Sequence, residues 1–465
     1  MTRGASYLAA GCALTLALTL VMGATILHAQ EAAGIPGPEG DARLEAGVDL
    51  RLVLDDGSPE FRTGFSLDLI SATRTQRLSF SGDFGLFVPL DDIEAADLND
   101  PSYGIDYLRD NGRSRIELGA SLQRQALDRL LDTDPDAPFE EDDLTLSDDG
   151  TREDWSLNAA VELGLNDPVG ARLSYSLSER IYEDTTDPGL RDRRTEIVGA
   201  RLRWDLDPTV RLTLDGEWQG REEGDIADPV FEQSEQVRAT VGLVWQMLPD
   251  LSLDARIGAT RLETDTTVFG VTTPDVLQGV DVEMNLTLDR PNGGYGFSAS
   301  RRLTEPGDVI SVALSRNLTL PGGAEIAASA GLTELPGGNI YGTGSLDYDR
   351  DTRSGALSFS LSHDAAVNGD DDAVQRTILN AGYRGDLARG ARWSLSGRVT
   401  NSEYVEATEP DIASARLSLN YVRPLTEDWG LSTGVTWSAV REDGIGDTEE
   451  STLFLSLERR FTFRR

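Results

Sequence analysis

The chain contains no lysine, so all 42 of its basic residues are arginine. The 80 aspartates and glutamates outnumber them and leave a formal net charge of −38. A chain this acidic repels phosphate, and we therefore expect no nucleic-acid partner.

Cysteine and histidine are nearly absent. One cysteine excludes an intramolecular disulfide, and two histidines are too few ligands for most zinc sites built on imidazole. The acidic segments 128–154 and 369–374 supply oxygen ligands that Ca²⁺ accepts, but they lack the EF-hand spacing. We read them as solvated loops, and the composition predicts no metal centre and no cofactor.

An enzyme is also not expected. The lipid-hydrolase alternative depends on His363, which shares the apolar face of its strand with Phe359 and Leu361. Ser360 and Ser362 point to the opposite face, so no serine lies where the imidazole would activate it.

The N-terminal segment has the form of a secretory signal peptide. Arg3 precedes an apolar run over 14–26, and Ala29 follows at a suitable cleavage position. The run is short for a membrane anchor. The predicted organisation is a signal peptide at 1–29, a flexible periplasmic leader at 30–41 and one domain at 42–465.

Apolar and polar residues alternate with period two through the rest of the chain. Segment 279–289, GVDVEMNLTLD, places valine, methionine and leucine on one face and acids, Asn285 and Thr287 on the other. This pattern predicts strands of about 10–14 residues. We expect about 22 strands. They start near residues 43, 60, 75, 103, 113, 153, 168, 193, 209, 234, 250, 276, 294, 308, 323, 339, 354, 373, 391, 411, 429 and 450.

The connections between these strands are of two kinds that alternate. Tight turns such as 165–170 and 290–294 are rich in Pro, Gly, Asn and Asp, which supply the backbone angles that hairpins need. Longer acidic segments such as 128–154 and 221–235 lie between them. Two kinds of connection are typical of a sheet whose edges face different sides of a membrane.

A closed barrel in lipid accounts for these features together. A sheet edge in hydrocarbon leaves unpaired N–H and C=O groups, which only closure satisfies. We predict an all-β fold: a single closed antiparallel transmembrane β-barrel of about 20–22 strands, with short periplasmic turns and long acidic extracellular loops. A secreted β-helix or an array of sandwiches is the competing architecture, but a β-helix would repeat about every 20–25 residues.

The C-terminal segment STLFLSLERRFTFRR carries a family resemblance. It is similar to the closing strand of Gram-negative outer-membrane proteins, which alternates apolar residues and ends in an aromatic residue; here Phe463 takes that place and two arginines follow. The resemblance, to outer-membrane β-barrels of the porin-like kind, covers about 41–465. It implies residence in the outer membrane, contact with lipid and lipopolysaccharide, and insertion by the barrel assembly machinery.

The polar positions supply the candidate site. Residues predicted to face the lumen are Arg51, Arg172, Arg201, Arg203, Arg211, Asp215, Glu217, Asp254, Arg256, Glu283, Arg302, Arg398 and Arg416. Charges of both signs on one face either pair across strands or create a field for solutes.

A passive pore for small hydrophilic solutes is the function that this sequence predicts. The alternative is a structural or export-associated barrel, for example for a surface polysaccharide. A plugged transporter is not expected, because alternation begins near Arg43 and a plug domain would need over a hundred residues before it. We expect the 128–154 segment either to fold into the mouth or to extend into solvent.

Overall fold

The computed structural model describes residues 41–55, 58–89, 97–127, 150–185, 190–225, 230–268, 271–367, 373–405, 411–442 and 446–464. They form 22 strands and a short 3₁₀ turn at Ala388–Gly390. The strands are β1 (Asp41–Asp55), β2 (Ser58–Ala72), β3 (Gln76–Pro89), β4 (Asp97–Asp110), β5 (Ser114–Ala126), β6 (Thr151–Leu163), β7 (Val169–Glu183), β8 (Arg191–Asp207), β9 (Val210–Asp225), β10 (Val230–Leu248), β11 (Leu251–Val268), β12 (Val271–Arg290), β13 (Gly293–Thr304), β14 (Gly307–Thr319), β15 (Ala324–Glu334), β16 (Ile340–Thr352), β17 (Gly355–Val367), β18 (Ala373–Asp386), β19 (Arg392–Tyr404), β20 (Ile412–Pro424), β21 (Trp429–Glu442) and β22 (Gly446–Arg464).

The sheet closes on itself. Each strand pairs antiparallel with its neighbours in sequence, and β1 pairs with β22 from Arg43↔Arg464 to Asp55↔Thr452. Closure pairs every strand on both sides, which removes the exposed edges. The predicted fold class, one closed antiparallel barrel of about 22 strands, is confirmed.

Alternation gives the barrel wall one apolar and one polar face. Val241, Ile257 and Val282 are register neighbours on β10, β11 and β12 and share the apolar face. The apolar face is open rather than packed: Ile257 is 60% exposed and Leu314 is 64% exposed. An apolar surface that continues around the molecule needs a nonpolar environment, and lipid supplies it.

Aromatic residues gather on the apolar face near the tight turns. Trp204 and Trp245 lie beside the turns that follow β8 and β10, and Tyr295 lies beside the turn before β13. The guanidinium carbon of Arg316 sits 3.7 Å from the centre of the Tyr295 ring. Amphipathic rings and snorkelling arginines at one level mark the edge of an apolar band. We call this end of the barrel the turn rim.

At the opposite end, the loop rim, the strands continue into acidic segments. The stretch 221–235, expected to be a connection, is largely strand, because β9 runs to Asp225 and β10 begins at Val230. Cross-strand ion pairs hold it together. Arg191 and Arg193 on β8 lie 3.3 and 3.4 Å from the carboxylate of Glu223, which also pairs with Arg221.

Several sequence-based predictions fall on residues outside the described ranges. They are the signal peptide at 1–29, nearly all of the leader at 30–41, and most of the acidic segment 128–154. Within the ranges that the structure describes, no helix has the length and hydropathy needed to span a membrane.

Candidate functional site

The largest set of predicted site residues lines one cavity on the polar face of β7–β13. Its volume is about 550 Å³. Seven of the predicted residues line it: Arg172, Arg201, Asp215, Glu217, Arg256, Glu283 and Arg302. Strand register brings them together, since Arg172 lies opposite Arg201 and Arg201 lies opposite Asp215.

Charges of opposite sign alternate around this cavity. Arg201 pairs with Asp215, and Arg172 lies 3.7 Å from Glu117 on β5. Arg256 is shared between Asp254 at 3.2 Å and Glu283 at 3.5 Å. The wall therefore presents guanidinium groups that carboxylates already hold in position.

The ion pair between Arg238 and Asp281 in this wall was not among the sequence-based candidates. Arg238 Nε donates to Asp281 Oδ2 at 2.8 Å, and both residues line the cavity. Asp281 is only 5% exposed and also accepts from the Thr260 hydroxyl and from the Leu303 N–H. The sequence does indicate the position of Asp281, because it lies two residues before Glu283 on the same strand and strand alternation therefore places both on the polar face.

Arg203 and Arg211 act at the turn rim rather than at the cavity. Arg203 donates to the carbonyl oxygens of Gly164 at 2.6 Å and of Leu165 and Asp167 at 3.1 Å. It thereby fastens the turn between β6 and β7. Arg211 donates to Asp205 at 2.6 Å across the next hairpin. Both guanidinium groups therefore donate hydrogen bonds to other groups of the barrel wall.

A second cavity, of about 270 Å³, lies on the polar face of β17–β20. Arg398 and Arg416, which are also predicted site residues, line it. They face each other directly in the register of β19 and β20. Arg302 lines the first cavity.

A third cavity, of about 660 Å³, lies where β22 and β1 meet β2–β4. Six carboxylates line it, with three arginines that include the predicted Arg51: Glu45, Asp49, Asp68, Asp83, Asp100, Glu458, Arg51, Arg62 and Arg460. Among the described residues, no group of three or more His, Cys, Asp or Glu is arranged to hold a metal ion.

Comparisons with known proteins relate the chain to solved structures. No family model matches it, and the search of curated proteins gave no match. Solved barrels do match. The FrpB iron transporter from Neisseria meningitidis superimposes with a TM-score of 0.61 at 10% identity, covering 92% of this chain and 82% of that chain.

Two further matches come from the same architectural group. The ferric-catecholate import receptor Fiu from E. coli has a TM-score of 0.60 at 9% identity, over 91% of this chain and 82% of that one. The copper transporter OprC has a TM-score of 0.56 at 14% identity, over 90% and 80%. The chain has the fold of a Gram-negative outer-membrane β-barrel protein. At these identities the likeness concerns the fold.

The predicted passive pore, and the structural or export-associated alternative, are wrong. The barrel matches those of copper and iron transporters and of ferric-chelate receptors, and none of these matches is named as a pore. The physical reason lies in the circumference: barrels of 16–18 strands leave a simple aqueous channel, whereas 22 strands form the wider wall of outer-membrane transporters. The porin-like part of the resemblance is corrected with it.

Proposed function

We propose that this protein is an outer-membrane receptor that binds an anionic metal chelate and takes it into the cell envelope. The observation that carries the proposal is the 22-strand barrel, shared over 90–93% of the chain with copper, iron and ferric-chelate transporters and receptors. Uptake is then selective and saturable, because the ligand must occupy a site on the barrel wall.

Charge chemistry favours a chelate over a bare metal ion. Copper and similar ions prefer histidine, cysteine and methionine, of which the chain has two, one and four. A chelate presents carboxylate or catecholate oxygens instead. Guanidinium groups match such oxygens with two parallel hydrogen bonds, and arginine is the only basic residue of this chain.

The polar face would form the lumen in which the ligand binds. Arg172, Arg201 and Arg256 are held there by carboxylates on nearby strands. An anion that enters the barrel takes the place of one of these carboxylates as the partner of an arginine. Binding then requires little reordering of the arginine side chains.

The setting that we propose follows the resemblance of the C-terminal strand. The signal peptide is removed near Ala29, and the barrel assembly machinery inserts the mature chain into the outer membrane. The apolar band contacts lipid and lipopolysaccharide, the turn rim faces the periplasm and the loop rim faces outside. Cell fractionation tests this placement: recovery of the mature chain from soluble periplasm contradicts it.

Uptake kinetics test the function. Cells that lack their own outer-membrane iron receptors and express this protein are supplied with ferric citrate or a ferric catecholate over a range of concentrations. We expect the rate of iron accumulation to saturate as the concentration of the ferric chelate rises. We also expect a second metal-loaded chelate of the same kind, added in excess, to lower that rate by competing for the binding site. A linear dependence on concentration, or equal uptake of a neutral sugar of similar size, would overturn the proposal. A general porin expressed in the same cells is the control for linear entry.

A further inference from the structure

Arg302 on β13 differs from the other arginines that line the β7–β13 cavity. Arg172, Arg201, Arg238 and Arg256 each pair with a carboxylate. Arg302 lines the same cavity with an exposed side chain, and within the described part of the chain its guanidinium group makes no hydrogen bond or ion pair. Its charge is therefore open to a ligand.

An acid beside Arg302 is already occupied by other donors. Asp281 on β12 lies next to it, since the N–H of the following residue, Leu303, donates to Asp281 Oδ1 at 3.1 Å. Arg238 and the Thr260 hydroxyl donate to Oδ2 of the same carboxylate. With both oxygens of this acid engaged, the guanidinium group of Arg302 is left facing the cavity.

Two serines extend the polar surface along the same strand. Ser298 and Ser300 alternate with outward-facing residues, as Arg302 does, and both line the cavity. Alternate residues of a strand are about 6.5–7 Å apart, so these three side chains span about 13 Å. We call Ser298, Ser300 and Arg302 the β13 strip. It offers one charged and two neutral donors to an extended ligand that is rich in oxygen.

The charge of the cavity favours an anion. Six arginines and four carboxylates line it, although the whole chain has 80 acidic residues against 42 basic ones. A local excess of positive charge draws an anion to this part of the lumen. The volume of about 550 Å³ lies within the usual range for sites that bind small molecules.

We propose that Arg302 is the specificity-determining contact for an anionic ligand, and that Ser298 and Ser300 donate to further oxygens of it. Arg302 has no carboxylate to release, so it binds a carboxylate or catecholate oxygen without breaking an existing ion pair. The inference rests on the proposed function, because the ligand is the anionic metal chelate. It adds the residue that selects for the charge of that chelate.

Calorimetry on the full-length chain, refolded in detergent, tests this contact. Ferric citrate and a ferric catecholate are titrated into the wild type, Arg302→Gln and Arg302→Lys. Arg302→Gln should fold like wild type, since it removes no protein contact, and should bind at least about tenfold more weakly, because a charge-assisted hydrogen bond is lost. Arg302→Lys keeps the charge without the planar fork and should recover part of the affinity.

Arg384→Gln is the matched control. Arg384 on β18 is also an exposed arginine of the polar face, and among the described residues it likewise has no hydrogen bond or ion pair, but it lies outside this cavity. Its replacement should leave the affinity unchanged. Equal affinity of Arg302→Gln and wild type, an equal loss in the control, or no binding of either chelate by wild type overturns the inference.

Chemical modification measures the same contact without a variant. Phenylglyoxal reacts with accessible arginines, and mass spectrometry locates the adducts. A saturating chelate should protect Arg302 and leave Arg384 reactive. Unchanged modification of Arg302 in the presence of bound chelate contradicts the contact.

The two proposals fail separately. Chelate binding that depends on Arg302, without saturable uptake, removes the receptor function and keeps the contact. Saturable uptake that Arg302→Gln leaves unchanged, together with unchanged calorimetry, removes the contact and keeps the receptor.

Discussion

Arg238 on β10 reaches across β11 to Asp281 on β12, with 2.8 Å between Nε and Oδ2. The Thr260 hydroxyl on the intervening β11 donates to the same carboxylate. Three adjacent strands are therefore tied together by one buried acid, in the middle of the wall that holds most of the candidate site.

Replacing Asp281 with alanine should destabilise the barrel by about 2–4 kcal/mol, because the Arg238, Thr260 and Leu303 donors then lose their acceptor. The measurement is denaturant unfolding in detergent. Asp289→Ala, an exposed acid of the same strand and parity, is the control and should unfold like wild type. A double-mutant cycle with Arg238→Ala isolates the ion pair. Equal unfolding midpoints for D281A and D289A would show that the hydrogen bonds of the Asp281 carboxylate do not stabilise the barrel.

The two faces of β14 should differ sharply in their tolerance of charge. Leu314 lies on the open apolar face, and the next residue, Ser315, lies on the polar face opposite Ser329. Leu314→Arg should cost about 2–4 kcal/mol near the middle of the bilayer, whereas Ser315→Arg should be nearly neutral. Folding into vesicles followed by denaturant titration measures both. A larger cost for Ser315→Arg would mean that the faces are assigned the wrong way, and identical effects would mean that neither face meets lipid.

Gly258 marks a close approach of two strands. A methyl group there would meet the carbonyl oxygen of Ala239 and, at 2.9 Å, the Cα of Thr240. Gly258→Ala should therefore destabilise the barrel by about 1–3 kcal/mol, because backbone atoms cannot move aside as a side chain can. Gly216→Ala on β9 is the matched control, since nothing lies within 4 Å of its added methyl group. Thermal unfolding that ranks the two equally would contradict the close approach.

The hairpin turn between β8 and β9 should open at low pH. Asp207 accepts from the Thr209 hydroxyl at 2.6 Å and from the N–H groups of Thr209 and Val210 at 2.7 and 3.0 Å. These bonds, the Thr209 hydroxyl first, lower the pKa of Asp207 below its ordinary value of 3.8. Asp207 ends β8 beyond Trp204 and is exposed, outside the apolar band.

A lowered carboxyl pKa stabilises the turn above the unfolded value, and the effect disappears as pH falls through the folded value. Hydrogen exchange at Thr209 and Val210 should therefore lose protection below about pH 4, from the ordinary aspartate range. Asp207→Asn keeps an acceptor but does not titrate, so its protection should not change over the same interval. Parallel pH profiles for the two proteins would rule out Asp207 as the titrating group.

Strand positions at the turn rim were predictable from the sequence. Strands expected near 168, 209 and 250 begin at Val169, Val210 and Leu251. The loop rim was predicted less well: the strands expected near 103 and 276 begin at Asp97 and Val271. Outside the lipid both faces of a strand meet water, so the alternation that marks a strand is no longer required there.

The candidate site was only partly predictable for a different reason. Parity along a strand assigns each residue to a face, but the register between strands is what brings Arg172, Arg201, Asp215 and Glu283 around one cavity. Parity does not say which charges meet. Arg203 has the same parity as Arg201, yet it binds the carbonyl oxygens of a turn.

The sequence by itself determined the strand number, the two faces and the closed barrel, because alternation and turn chemistry are local and repeat along the chain. The tertiary structure decided what the polar face holds. The partners Arg238 and Asp281 are 43 residues apart, and the opposed Arg398 and Arg416 belong to different strands. Only the register between strands, set when the sheet closes, brings such residues together.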